Sequence, residues 1–322
     1  MRDWASRFPS RDRARGAGGA AARLGAPRAL RGDRPRPSAA VTLVLLTGLA
    51  AVGLAGFMTF SALFGGGSPA AASQGPGTAP TPDPAGDASV LTANPLYATG
   101  EMTEVTCPAP EVDVEDEASM EAFLHEITDC LDKAWSEQFA EGGMEFERPN
   151  RIFWYASGQS PCGNFPTEGT AAFYCQANKG LYLGVEDIVA NSNETEHPEA
   201  YTFLLSHEYG HHVQGEAGIL GYFHTERGSL SDPGERSLLT RRSELQANCL
   251  GGTFLGSVED SLPVGSEEEA NILEDAERRG DFDPEKRTHG SPENGAMWTA
   301  HGMDRGDPAA CNTWSAGENV VG

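Results

Sequence analysis

The sequence predicts an α+β domain that follows a single N-terminal transmembrane helix. Residues 39–64 form an apolar run without a charged side chain, which predicts the membrane span. Large apolar side chains recur at helical spacing from Met120 to Phe139. Short apolar segments with strand composition are 152–155, 172–175 and 181–183. We therefore expect a small antiparallel or mixed sheet packed on helices.

Charge divides the chain into two unlike parts. Residues 1–38 contain ten arginines and three aspartates, a net charge of +7, whereas the whole chain of 322 residues carries −24 and the remainder therefore −31. The few large apolar residues of 1–38 predict a disordered, Arg-rich tail. We expect no nucleic-acid binding, because an arginine run beside an apolar segment typically sets membrane topology and the acidic remainder repels anionic polymers.

Residues 39–64 are predicted to cross the cell membrane once. At about 1.5 Å per residue the segment spans roughly 39 Å, enough for a hydrocarbon core of about 30 Å. The preceding arginines place the N-terminus in the cytoplasm, so the rest of the chain is predicted to be extracytoplasmic. The alternative is secretion after signal-peptide cleavage near Ala70–Ala72, although signal peptides usually have only about 7–15 apolar residues.

A spacer and one domain are predicted after the apolar run. Residues 65–103 are rich in Pro, Gly, Ala, Ser and Thr, which predicts a flexible linker, and 104–322 suffice for a single domain. All six cysteines lie in that domain, and their even number in an exported chain predicts disulfides. Several pairings are possible; proximity along the chain favours Cys162–Cys175 and then Cys107–Cys130, which leaves Cys249–Cys311.

Local signals place the first helix and a hairpin. Ser119 is a possible cap of the helix that contains 120–139, and Gly142-Gly143 is expected to end it. The turn Asn178-Lys179-Gly180 separates two strand-like segments and predicts a hairpin. Within that hairpin, Leu181–Gly184 is either an edge strand able to pair with an extended peptide or an ordinary strand of the sheet.

The motif at 207–211, His-Glu-Tyr-Gly-His, predicts a metal site. Pro198 suits the first turn of a helix that continues through the motif. His207 and His211, four residues apart, then share one helix face and can hold one Zn²⁺, while Glu208 lies beside the ion to take a proton from bound water. A short motif can also match by chance, but the apolar flanks would bury imidazoles that need a partner.

A zinc site of this kind needs a third protein ligand. Gln214 and Ala217 stand where the longer motif with a third histidine would have Gly and His, so that subclass is excluded. Residues 238–250 predict a second helix, and Glu244 within it lies 33 residues after His211. Glu244 is the candidate third ligand; the alternative is a surface ion pair with a neighbouring arginine.

Two further expectations concern these helices. Gly251-Gly252 should end the second helix. Asn248, one turn after Glu244, is placed to hydrogen-bond and orient a ligand histidine. His212 points about 100° away from His211 around the helix axis and is not expected to be a ligand.

These residues resemble the bacterial putative neutral zinc metallopeptidase family. The resemblance rests on HEYGHHVQ at 207–214 and SELQANC at 243–249, and it covers roughly 160–315 in the same order. Further matching segments are Cys162-Gly163, Phe173–Cys175, Leu181–Leu183, Thr288–Ser291 and 306–313. The resemblance implies a zincin-like fold, with His207, His211 and Glu244 as zinc ligands and Glu208 as the base. Family members usually have Asp at the position of Asn248.

The sequence therefore predicts a membrane-anchored zinc metalloendopeptidase that acts on peptides or proteins. Water activated by zinc would attack the peptide bond, with Glu208 as general base. His289 and Tyr209 are the candidates for stabilising the oxyanion. The alternative is a catalytically silent extracytoplasmic metal-binding or scaffold domain of the same fold, which would be free to lose Glu208.

Overall fold

The computed structural model describes residues 88–108, 110–166, 170–192, 197–262 and 264–322. The tail 1–38, the membrane span 39–64 and most of the linker 65–103 lie outside the described residues and stay predictions. Within the part of the chain that is described, no helix combines the length and the apolar composition needed to cross a membrane.

The described part is a mixed α+β fold, as the sequence predicts; it is mostly helical and carries two small sheets where the sequence predicts one. The helices are α1 (Ser89–Thr92), α2 (Glu117–Glu141), α3 (Val185–Asn191), α4 (Pro198–Glu216), α5 (Ile219–Ser229), α6 (Pro233–Ser257), α7 (Ser266–Arg278) and α8 (Pro292–Arg305). The strands are β1 (Asn150–Trp154), β2 (Gly158–Ser160), β3 (Gly163–Phe165), β4 (Ala172–Cys175) and β5 (Gly180–Gly184).

The larger sheet has the order β1-β5-β4. β5 pairs in parallel with β1 and antiparallel with β4, which confirms the predicted hairpin and gives a mixed sheet. Lys179 closes that hairpin in a left-handed conformation, with φ 48°. The interpretation of Leu181–Gly184 as an edge strand is wrong, because β5 is buried and both of its edges are already paired.

Helix α2 supplies one wall of the main core. Its buried face includes Phe123, Leu124, Ile127, Leu131, Trp135 and Phe139. Asp116, and not Ser119, caps the helix by accepting from the amide of Ala118, while the Ser119 hydroxyl accepts from the amide of Asp113. The helix stops at Gly142, as the sequence predicts.

Helices α4 and α6 touch through their backbones, and glycines make this possible. α4 begins at Pro198, as predicted, but α6 continues to Ser257, so Gly251 and Gly252 lie inside the helix rather than at its end. A Cβ atom on Gly251 would lie 3.1 Å from the amide nitrogen of His207. On the neighbouring turns, a Cβ on Gly210 would lie 2.8 Å from the carbonyl oxygen of Ala247. These glycines are therefore needed for close helix packing.

The domain begins earlier than its sequence suggests. Residues 89–102 fall in the predicted linker, yet Leu91 and Leu96 are buried. The side-chain amide of Asn94 donates to the carbonyl of Ala217 just after α4, at 2.9 Å. Apolar burial and this hydrogen bond hold the segment on the domain, so the linker predicted for 65–103 extends too far.

Three disulfides cross-link the described residues, with the pairing favoured by proximity. They are Cys107–Cys130, Cys162–Cys175 and Cys249–Cys311. The last one ties α6 to the short 3₁₀ helix Pro308–Cys311. Position 249 lies between Ala247 and Gly251, the residues of α6 that approach α4, so this crosslink ties down that part of the helix.

Candidate metal centre

Two histidines of α4 and one glutamate of α6 meet at a single point. Oε2 of Glu244 lies 3.4 Å from Nε2 of His207 and 3.2 Å from Nε2 of His211. Their potential ligand atoms all lie within 4.8 Å of one another. Among the described residues this is the one cluster of three His, Cys, Asp or Glu side chains arranged to hold a metal ion. The structure thus brings together the three residues that the sequence singled out.

The helix geometry explains the convergence. His207 and His211 are one turn apart, and their rings meet edge to face with centroids 4.9 Å apart. The backbone contact of Gly210 with Ala247 brings α6 close enough for the short Glu244 side chain to reach both imidazoles. The three side chains are largely buried, with 12% to 19% of each exposed.

Both imidazoles are held on their far side by an amide oxygen. Nδ1 of His207 lies 2.7 Å from Oδ1 of Asn248, and Nδ1 of His211 lies 2.9 Å from Oε1 of Gln214. An amide oxygen only accepts, so each Nδ1 carries the proton and donates it. Each Nε2 is then directed at Glu244, as a metal ligand should be. The sequence predicts that Asn248 hydrogen-bonds a ligand histidine, but it gives no such prediction for Gln214. The one local signal for Gln214 is its position three residues after His211, on the same helix face.

Charge couples the three side chains. Burial acts to lower the pKa of His211, but the carboxylate of Glu244, its hydrogen bond and the charge of Glu208 outweigh burial and raise that pKa to about 9. Burial acts to raise the pKa of Glu244, yet the two histidines hold it well below its usual range. In the metal-free protein a proton on His211 thus neutralises the carboxylate. Two imidazole nitrogens and one carboxylate oxygen form a donor set that suits zinc.

Glu208 and Tyr209 lie between the two histidines in the sequence, but their side chains have different surroundings in the fold. Glu208 is next to His207 and only 8% exposed. Tyr209 is completely buried and donates its hydroxyl proton to Asp132, at 2.7 Å. The interpretation of Tyr209 as an oxyanion stabiliser is therefore wrong, because its hydroxyl group is engaged in the core.

His212 is not part of the centre, as its helix position predicts. Its Nε2 lies 2.8 Å from the carbonyl oxygen of Glu147, so Nε2 donates and Nδ1 accepts from the hydroxyl of Tyr174 at 3.2 Å. Burial lowers the pKa of His212 to about 4, although Glu216 acts in the opposite direction. A neutral, doubly hydrogen-bonded imidazole has no free nitrogen for a metal.

His289 lies on the loop between α7 and α8. Its side chain is 52% exposed, and Nδ1 is 3.5 Å from the carboxylate of Asp281. The same carboxylate accepts the backbone amide of His289 at 2.7 Å, which fixes the loop. Gly290 packs against the side chain of Leu245, beside Glu244 in α6. The loop therefore borders the helix that carries Glu244.

Two histidines one helix turn apart, a glutamate next to the first of them and a further carboxylate form the donor set of zinc peptidases. The chain belongs to the family described as "Putative neutral zinc metallopeptidase", whose sequence model matches residues 87–314. Family membership confirms the resemblance noted in the sequence and implies Zn²⁺ as the cofactor.

Two relatives illustrate how far the similarity extends. The uncharacterized protein YpfJ of Escherichia coli K12 is 28% identical over 212 residues, which is 62% of this chain and 72% of YpfJ. The uncharacterized protein Rv2575 of Mycobacterium tuberculosis H37Rv is 29% identical over 198 residues, which is 54% of this chain and 64% of Rv2575. No solved structure matches the chain.

Proposed function

We propose that this protein is a zinc metalloendopeptidase that hydrolyses peptide bonds in peptides or proteins outside the cytoplasm. Family membership supports zinc peptidase chemistry. The observation that carries the proposal is the convergence of His207, His211 and Glu244, with both Nε2 atoms within 3.4 Å of one carboxylate oxygen. Glu208 beside them supplies the base that a silent metal site would not need.

The roles of the residues follow from their chemistry. His207 and His211 would hold the ion through Nε2 and Glu244 through its carboxylate. When bound, zinc supplies a Lewis acid that polarises a carbonyl and lowers the pKa of water to about 7. Glu208 accepts the proton of the attacking water and returns it to the leaving amine. Its burial strengthens this role, because charges interact more strongly away from bulk water.

His289 is the remaining candidate for stabilising the oxyanion. Its half-exposed imidazole can donate a hydrogen bond outward from the loop that packs against α6. A positioned donor of this kind stabilises the charge that develops on the carbonyl oxygen of the substrate.

The membrane attachment is part of the proposal. The uncharged run 39–64 and the arginines before it support a single anchor with the N-terminus in the cytoplasm. Three disulfides in the described residues are typical of a domain exposed to an oxidising compartment. Protease added to intact cells should remove the domain and leave the N-terminal tail protected; full protection of the domain would contradict this topology.

The catalytic proposal is tested with the purified full-length chain. Its zinc content and its hydrolysis of an unfolded protein are measured for wild type and for Glu208→Gln. The variant should keep its zinc and lose at least about 100-fold in rate, the usual contribution of a general base. Glu141→Gln, a change of an exposed glutamate at the end of α2, is the matched control and should be fully active.

Two results would refute the enzyme. Activity that survives in Glu208→Gln would show that another group, or a contaminant, does the chemistry. A zinc-loaded wild type without activity would instead favour the catalytically silent metal-binding or scaffold domain.

A further inference from the structure

A chain of buried polar side chains runs from the C-terminal segment to His211. Trp314 lies in the 3₁₀ helix Thr313–Ser315, Gln246 on α6 and Gln214 on α4. Both glutamines are fully buried, and Trp314 is 8% exposed. Buried amides must satisfy their donors and acceptors within the protein, so the orientation of each amide is determined by its neighbours.

The side-chain amide of Gln246 is oriented by one group that can only donate a hydrogen bond and one that can only accept. The indole Nε1–H of Trp314 can only donate, and it donates to Oε1 of Gln246 at 3.0 Å. The carbonyl of Cys311 can only accept, and it accepts from Nε2 of Gln246 at 3.0 Å. The second hydrogen of that Nε2 goes to the hydroxyl of Tyr97 at 2.7 Å. A flipped Gln246 would set two donors against each other and two acceptors against each other.

The orientation of Gln246 is passed on to Gln214. Nε2 of Gln214 donates to Oε1 of Gln246 at 3.0 Å and to the carbonyl of Ser243 at 2.8 Å. Its oxygen must therefore point the other way, where it lies 2.9 Å from Nδ1 of His211. That oxygen can only accept, so the proton of the imidazole stays on Nδ1 and the Nε2 lone pair is left for a metal.

We infer that Gln214 is a positioning residue of the metal centre, and that Gln246 and Trp314 determine its orientation. The inference rests on the proposed function, because it treats His211 as a zinc ligand. The network does two things for that ligand: it selects the tautomer, and it holds the plane of the ring. Trp314 thus acts on His211 through two intervening side chains, without a contact of its own.

The test measures zinc affinity rather than turnover. Zinc dissociation constants of the full-length chain are determined by competition with a chelator for wild type, Gln214→Met and Trp314→Phe. Methionine keeps the length of the side chain and removes the acceptor, so zinc binding should weaken about 10- to 100-fold, as is usual when such a partner is lost. Trp314→Phe leaves Gln214 in place, removes the indole donor and should weaken zinc binding by a smaller factor.

Gln138→Met is the matched control. Gln138 is an equally buried glutamine of α2, and its Nε2 donates to Thr99 and to the carbonyl of Gly100, at 2.6 and 2.9 Å. Its hydrogen bonds lie away from the metal centre, so the control should lower the melting temperature and leave zinc affinity unchanged.

A second measurement follows the imidazole proton directly. In zinc-loaded wild type, NMR should show a slowly exchanging Nδ1–H signal for His211, which Gln214→Met should lose.

The outcomes separate this inference from the proposed function. A wild type that binds no zinc would refute the proposed function itself. A wild type that binds zinc, with Gln214→Met binding it equally tightly, would refute the positioning role alone. Should Gln214→Met fail to fold, Trp314→Phe decides the question: unchanged affinity and an unchanged His211 Nδ1–H signal would overturn the inference.

Discussion

Replacing Asn248 by Asp should tighten zinc binding and destabilise the metal-free protein. Oδ1 of Asn248 lies 2.7 Å from Nδ1 of His207, and aspartate has nearly the same size and shape. The substitution places a carboxylate oxygen on the same imidazole proton, so a neutral hydrogen bond becomes a charge-assisted one. A more basic imidazole is a stronger ligand for a cation.

The magnitude follows from typical hydrogen-bond contributions. A neutral hydrogen bond contributes about 0.5–1.5 kcal/mol and one to a charged group about 1.5–3 kcal/mol, a difference of about 1 kcal/mol. Part of that gain is also present without zinc, so it sets an upper bound on the effect on binding. Since about 1.4 kcal/mol is a tenfold change, the zinc dissociation constant should fall by at most about fivefold. Without zinc the new carboxylate, at a site only 8% exposed, adds to the negative charge of Glu244 and Glu208 and lowers stability.

The assay is chelator competition at fixed pH, together with thermal unfolding with and without zinc. Asn248→Leu removes the acceptor and is the opposing variant, which should bind zinc more weakly than wild type. Equal zinc affinity of wild type and Asn248→Asp, or weaker binding by the aspartate variant, would contradict the idea that this contact tunes His207.

Two other predictions concern helix packing and pH. Gly210→Ala should lower the free energy of unfolding by about 1–3 kcal/mol and weaken zinc binding, because its Cβ would lie 2.8 Å from the carbonyl oxygen of Ala247 and push α4 away from α6. Gly228→Ala is the control, because Gly228 lies in α5 with open space around it. This control variant should be slightly more stable than wild type in urea unfolding. The raised pKa of His211, about 9, means that the folded metal-free protein holds this proton more tightly than the unfolded chain. That contribution is fully present below about pH 6.5 and is lost as the pH rises through 9. Urea unfolding in chelator should show the decline, and a Glu244→Gln variant with the same decline would refute the assignment.

Local signals in the sequence were sufficient for much of the site. The spacing of His207 and His211 on one helix needs only the helical repeat, which the apolar flanks and Pro198 support. The sequence indicates Glu244 because a catalytic zinc needs a third ligand and because Gln214 and Ala217 exclude the longer histidine motif. The disulfide pairing follows from proximity for Cys162–Cys175 and Cys107–Cys130, whose separations are 13 and 23 residues, and Cys249–Cys311 is the pair that remains.

Where contacts come from distant parts of the chain, the sequence was a poor guide. Gly251 and Gly252 have the composition of a helix end, but the reason for glycine is the backbone of α4 and α8 against them. β5 has the composition of any apolar strand, and only its pairing with both β1 and β4 makes it central.

By itself, then, the sequence determined that His207 and His211 share one helix face, because residues one helix turn apart are related by fixed local geometry. It indicated Glu244, on another helix, only through the need of a zinc site for a third ligand. Tertiary structure decided which side chains hydrogen-bond to the Nδ1 atoms of those histidines and hold their rings in place. The proton of His211 depends on Gln214, Gln246 and Trp314, which lie up to about one hundred positions apart along the chain. The direction of a hydrogen bond is set by every group that surrounds it, and those groups meet only when the chain has folded.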